Sequence, residues 1–291
     1  MSDASMSQQP AAPGCYRHPD RATFVRCTRC GNPICPDCMQ VASVGFQCPD
    51  CVNAAASAIR QPTTVAGARL IDRPMVTYTV IGINLAVFAI QLLVGINELA
   101  VDFGMWPFGI AIDDQWWRLL TSAFLHGSFL HIAFNMYVLF VLGPPLERIL
   151  GHGRFVVLYL MAAAGGSVAS YAFSDIRTVS VGASGAIFGL MGALIIAGRR
   201  LRADIRQVLI LLAINVVIGF LAPGIDWRAH LGGLVTGMVA AAVLVYTPAP
   251  MRQWRTAWQL IGISALVVVL AMVTLWRTGQ IEAYVAPLGI T

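Results

Sequence analysis

The sequence predicts an all-α polytopic membrane protein with seven spanning helices, preceded by a small cytosolic zinc-binding module. Three observations carry this. Hydrophobic residues make up 57% of the 291 residues and charged residues only 11%, with mean hydropathy +0.72. A soluble domain has roughly 25% charged residues. The apolar residues gather into blocks after Met75, and all seven cysteines lie between Cys15 and Cys51. The composition excludes a purely soluble chain. It also excludes a disordered one, which needs low hydrophobicity and high charge.

At the N-terminus, residues 1–14 read as disordered, with neither the charged n-region nor the apolar h-region of a signal peptide. Disulfides are the usual role of clustered cysteines in secreted chains, but here the spacing favours metal. The ligands come in four pairs of CxxC type: Cys15 with His18, Cys27 with Cys30, Cys35 with Cys38, and Cys48 with Cys51. Eight ligands suffice for two tetrahedral zinc ions. The short gap between Cys30 and Cys35 disfavours a shared ion for the middle pairs. The first pair is therefore expected to join the third, and the second the fourth. The pattern resembles the B-box class of zinc finger. Filled ligand sets make both sites structural, and residues 15–51 hold too small a core to fold without metal. Arg17, Arg21, Arg26 and Arg29 form a solvated face or meet a cytosolic protein partner; nucleic acid is the less favoured reading. Residues 52–74, polar and Ala-rich, read as a linker.

The seven apolar blocks are Met75–Gly95, Leu119–Leu142, Phe155–Phe173, Ser184–Gly198, Val208–Leu221, Ala229–Tyr246 and Ala257–Trp276. A spanning helix needs about 17–25 apolar residues, so the fourth and fifth are short. Arginine decides the topology, because the chain has no lysine. With the N-terminus inside, the inner segments carry Arg69, Arg73, Arg148, Arg154, Arg199, Arg200, Arg202, Arg206, Arg252 and Arg255. The outer segments carry Arg118, Arg177, Arg228 and Arg277. That asymmetry follows the positive-inside rule and requires all seven blocks. The cysteines are then cytosolic and reduced. The expected location is a bacterial plasma membrane.

Polar residues within apolar blocks are costly and point to function. Block two holds His126, His131 and Asn135 in LHGSFLHIAFNM; His131 and Asn135 share a helix face. Naive counting places His131 deep along this block. Block four opens on GASGAIFG, with Ser184 at a helix start, and block six on RAHLGG, with His230 in its first turns. Blocks two, four and six run in the same direction, so Ser184 and His230 lie towards the same, outer side. Gly182, Gly185, Gly189 and Gly192 form a small-residue stripe, and Gly233 and Gly237 a second. Such stripes let helices approach closely. If they meet, His230 can take the proton that keeps Ser184 a poor nucleophile. The Ser184 N–H, His131 and Asn135 are candidate oxyanion donors. Asp226 lies in a loop, so a dyad is expected, with Phe188 as a ring for His230 to stack on.

HGSFLHIAFN, GASGAIFG and AHLGGLVTG, in this order, resemble the rhomboid family of intramembrane serine proteases. QWWRLL resembles that family's first-loop Trp-Arg motif, at Trp117 and Arg118. The resemblance implies a six-helix core over 75–246 that cleaves transmembrane substrates in the lipid bilayer, with Ser184 as nucleophile and His230 as general base. His131 and Asn135, with Gly182 and Phe188, support the oxyanion and the dyad, and no cofactor takes part in catalysis. Phe188 stands where the family often has Tyr. Residues 247–291 add a seventh helix and a tail. Glu147 reads as a structural carboxylate. Two other readings are a rhomboid-like pseudoprotease that binds membrane segments without cleavage, and a membrane transporter with a zinc sensor. The second predicts carboxylates at mid-membrane, which the blocks lack.

Overall fold

The computed structural model describes residues 11–58, 62–221 and 224–288, so most of the expected disordered N-terminus lies outside the described residues. The chain divides into two compact units, Met1–Pro62 and Thr63–Thr291.

In the first unit, a 3-10 turn (Pro36–Cys38) leads to an antiparallel pair, β1 (Gln40–Val41) and β2 (Phe46–Gln47), and then to helix α1 (Pro49–Ala58). The hairpin closes through Gly45 at φ +68°. Its buried cluster consists of Ile34 with Cys15, Cys27, Cys35, Cys38 and Cys48. One aliphatic side chain among cysteines cannot drive folding of so short a segment. Val52–Ala58, expected as linker, continues α1, because the Ala-rich run is a strong helix former.

The second unit contains α2 (Met75–Val94), α3 (Ile96–Phe103), α4 (Pro107–Ala111), α5 (Arg118–Thr121), α6 (Phe129–Leu150), α7 (His152–Phe173), α8 (Ser184–Leu201), α9 (Arg206–Leu221), α10 (Trp227–Val245) and α11 (Arg255–Val285). Among the described residues, six helices are long and apolar enough to cross a membrane: α2, α6, α7, α8, α10 and the one beginning at Arg255. The shorter apolar helix α9 has 16 residues, about 24 Å at 1.5 Å per residue. The protein is an integral, multi-pass membrane protein.

Lipid changes what goes inside. Hydrocarbon offers no drive to bury Leu or Val, so interiors use small residues and polar contacts. Helix α2 buries only Thr77, Asn84, Phe88 and Gln91. Thr77, Asn84 and Gln91 recur every seven residues and so share a face. Glu147 on α6, fully buried, accepts the N–H groups of Val76 (2.9 Å) and Thr77 (2.8 Å) and the Thr77 hydroxyl (2.6 Å). His152 bonds the same carboxylate. Glu147 thus supplies the acceptor that the uncapped start of α2 lacks. Near the other end, Gln91 exchanges two hydrogen bonds with the backbone of His126.

The glycine stripes meet. A Cβ on Gly233 would overlap the backbone of Gly185, and one on Gly237 the backbone of Gly189. Helix α7 joins through Gly165, which faces Thr236. Close backbone contact therefore packs α7, α8 and α10 together. At the end of the bundle where α10 finishes and α11 begins, the residues after Pro62 fold back rather than act as linker. Thr63 bridges Arg69, and the Ala66 carbonyl accepts from Gln259 Nε2 at 3.1 Å.

The second predicted block divides. Leu119–Phe124 belong to α5 and a 3-10 turn, and α6 starts only at Phe129, where Ser128 caps it by accepting the His131 N–H. His131 therefore lies in the first turn of α6, at the end where α8 and α10 also begin, and not deep along the helix.

Candidate active site

Ser184 opens α8. The chain reaches it through Gly182 at φ +137°, a conformation that favours glycine. A Cβ there would sit 2.8 Å from His131 Nε2 and 3.6 Å from Ser184 Oγ. The volume left by the missing side chain thus lies between these two groups. The Gly182 N–H is held by Ser122 O at 2.9 Å. Ala183, at the helix cap, offers no side-chain acceptor, so the Ser184 N–H is left for another acceptor.

His230 lies in the first turn of α10. Its Nε2 is 2.9 Å from Ser184 Oγ, and its ring stacks on Phe188 with centroids 4.1 Å apart and planes 13° apart. Asp226 is used elsewhere. One carboxylate oxygen caps α10 by accepting the Arg228 and Ala229 N–H groups, and the other accepts the Ser170 hydroxyl. Among the described residues no carboxylate hydrogen-bonds His230.

His131 Nδ1 accepts weakly from the Gly127 N–H at 3.4 Å, which leaves Nε2 as the protonated nitrogen facing Gly182. Asn135 is buried on the same helix, but its amide donates to the His131 carbonyl at 3.0 Å. That bond uses one of the two amide N–H donors and leaves the other available. His126 is fully buried behind His131, with ring centroids 5.2 Å apart. Arg118 is buried and donates to the carbonyls of Val101 (2.6 Å) and Gly104 (3.0 Å), binding the segment before it into one lobe. Trp117 beside it is half exposed. Two contacts escape a reading of the sequence. Gln91 is found only by noticing the seven-residue polar spacing in the first block. Gly219 on α9 approaches His230 so closely that a Cβ would lie 3.2 Å from Nδ1; an isolated glycine carries no such signal.

The first unit brings its ligands together in the interleaved order: Cys15, His18, Cys35 and Cys38 in one group, Cys27, Cys30, Cys48 and Cys51 in the other. Tetrahedral ligands about 2.0–2.3 Å from a zinc ion lie roughly 3.5–3.8 Å from one another. His18 Nδ1 is 3.3 Å from Cys35 Sγ and 3.4 Å from Cys38 Sγ, and Cys30 and Cys48 Sγ are 3.7 Å apart. The residues fit a metal ion at each site. Burial opposes ionisation of Cys15 and Cys27, but backbone N–H donors outweigh it and bring both thiols down to about 6. Burial and the neighbouring sulfurs push Cys38 up to about 11. A cation relieves that repulsion.

Residues 113–247 match the Rhomboid domain family. The chain is 38% identical over 192 residues to "Rhomboid protease GluP" of Bacillus subtilis, covering 63% of this chain and 38% of that protein. It is 40% identical over 143 residues to "RHOMBOID-like protein 4" of Arabidopsis thaliana, covering 46% of this chain and 36% of the plant protein. It therefore spans well under half the length of these two relatives. With "Putative rhomboid protease YdcA" of Bacillus subtilis it shares 36% identity over 142 residues, 47% of this chain and 71% of that protein. The family match takes in α6, α8 and α10, the helices that carry His131, Ser184 and His230, and the chain belongs to the rhomboid family.

Proposed function

We propose that the protein is an intramembrane serine endopeptidase acting through a Ser184–His230 dyad on the transmembrane segments of membrane-protein substrates. The observation that carries this is the 2.9 Å contact between His230 Nε2 and Ser184 Oγ on a ring-stacked imidazole. The relatives' names support protease chemistry. Ser184 Oγ attacks the scissile carbonyl carbon while His230 Nε2 takes its proton. The tetrahedral oxyanion receives the Ser184 N–H and His131 Nε2–H, with the second amide N–H of Asn135 as a further donor. His230 then protonates the leaving amine, and a water activated by the same nitrogen hydrolyses the acyl-enzyme. Stacking on Phe188 and capping by Asp226 orient the base in place of a hydrogen-bonded acid.

The dyad lies where α6, α8 and α10 begin. The arginine asymmetry assigns that end to the outer face and the N-terminus to the cytoplasm, in keeping with a bacterial plasma membrane. The cysteine unit holds two structural zinc ions and serves recruitment or regulation, through a cytosolic protein partner. The test is labelling of the purified protein by a fluorophosphonate probe. Ser184 should be the labelled residue, and Ser184→Ala and His230→Ala should each abolish cleavage of a model transmembrane substrate. Labelling at another serine, or cleavage by either variant, overturns the assignment.

A further inference from the structure

Helix α11 lies beyond the matched residues 113–247, and no step of the proposed chemistry uses it. Ile263, Leu266 and Leu270 in its middle pack against the main core, beside an apolar cavity of about 420 Å³ lined among others by Trp116, Leu120, Val168 and Ala271. Its C-terminal turns pack into a second cluster. Ile281 and Val285 are almost fully buried in one cluster with Met105, Ile110, Ala111 and Tyr171. The Tyr171 hydroxyl lies 2.7 Å from Thr278 Oγ1, and Arg277 Nη2 donates to Ser174 O at 3.1 Å.

Met105 links this cluster to the site. Its N–H and carbonyl exchange hydrogen bonds with Ser180, both at 2.9 Å. Gly104 has no side chain, and a Cβ there would lie 2.9 Å from Val179 and 3.1 Å from Val181. Phe108 N–H donates to Ile176 O at 3.3 Å. Val181 leads directly to Gly182, Ala183 and Ser184. A continuous run of packed and hydrogen-bonded groups thus extends from Ile281 and Val285 through Met105 and Ser180 to the turn that presents the nucleophile.

We propose that the C-terminal turns of α11 position the nucleophile: Ile281 and Val285, with Thr278 acting through Tyr171, hold Met105, and through it the 180–183 segment, at the height that sets Ser184 Oγ against His230. The inference rests on Ser184 being the nucleophile. Small displacements far from the chemistry cost up to about 10²-fold in rate.

The test uses the full-length protein and measures the rate of fluorophosphonate labelling, together with kcat and KM for a model transmembrane substrate. Ile281→Ala/Val285→Ala should slow both labelling and kcat roughly ten- to hundred-fold, with KM unchanged. Ile281→Val should restore most of the rate, because it refills the cluster. Met105→Ala should show the same loss, and adding it to the double variant should cost little more. Where the double variant does not fold, Tyr171→Phe/Thr278→Val takes its place, with a smaller loss expected in the same direction. A folded variant that labels at the parental rate, or one in which only KM rises, overturns the proposal. If the parent labels elsewhere than at Ser184, the underlying dyad assignment has failed, which is a separate outcome.

Discussion

The face of Phe188 lies against the face of His230, with planes 13° apart and centroids 4.1 Å apart. The two residues are on different helices, α8 and α10, and the contact exists because glycines let those helices touch. A stacked ring offers no hydrogen bond. It restricts the imidazole to a plane from which Nε2 meets Ser184 Oγ.

An aromatic pair contributes about 0.5–1.5 kcal/mol beyond its buried area. Phe188→Ala should therefore lower kcat about three- to tenfold, and the cavity it leaves should lower Tm as well. Phe188→Tyr should retain most of the activity, since a ring of the same shape remains. Equal kcat for Phe188→Ala and the parent would show that the stack does not orient the base.

His131 and Asn135 differ in readiness. His131 already faces the gap beside Gly182, whereas the Asn135 amide is bonded to its own helix. Removing an oxyanion donor costs about 10²–10³ in kcat. His131→Ala should show a loss of that size, and Asn135→Ala a smaller one. Steady-state kinetics beside thermal melts would separate the roles: a lowered Tm with unchanged kcat for His131→Ala would make it a packing residue.

Glu147 is expected to matter for stability and not for chemistry. Its carboxylate satisfies two backbone N–H groups and a hydroxyl at the start of α2. Glu147→Ala leaves these donors without an acceptor in a fully buried place, a cost of at least about 2 kcal/mol. A clear fall in Tm should result, with kcat of the remaining folded protein near the parent value. Glu147→Gln should lie between, since an amide oxygen still accepts.

For the cysteine unit, elemental analysis should give two zinc ions per chain. Cys35→Ser should lose one ion and Cys48→Ser the other, because these residues belong to different ligand groups. Chelation should unfold residues 11–58 while the helices of the second unit persist by circular dichroism, since the cysteine core has one aliphatic residue to hold it. A chain lacking residues 1–60 should still cut a model substrate in detergent. Loss of both ions on Cys35→Ser alone would mean the sites are not independent.

Sequence reading went furthest where a local pattern has one physical meaning. Apolar length identified the spanning helices, CxxC spacing the two Cys/His groups that could hold a metal ion, and glycine periodicity the faces of α8 and α10 that meet. It went astray at boundaries. Hydropathy cannot see Ser128 capping α6, so one apolar block was read where a short helix and a long one stand, and His131 was placed too deep. It also took Ala-rich residues 52–58 as linker, because weak hydrophobicity resembles loop composition until helix propensity is weighed.

By itself the sequence determined that the chain crosses a membrane many times, that eight Cys and His residues come in pairs, and that Ser184 and His230 begin helices of the same direction. Each follows from composition or spacing along one segment. Only the tertiary structure decided the distances and the partners. It brought His230 within 2.9 Å of Ser184 Oγ and turned Asp226 into a helix cap. It also joined Glu147 to Thr77, 70 residues away, and packed the end of α11 against Met105. The reason is the solvent. In lipid, Leu and Val gain nothing by burial, so they report that a helix spans but not which way it faces. The facing is set by small residues and polar groups, whose partners lie on other helices and become visible only once those helices are packed.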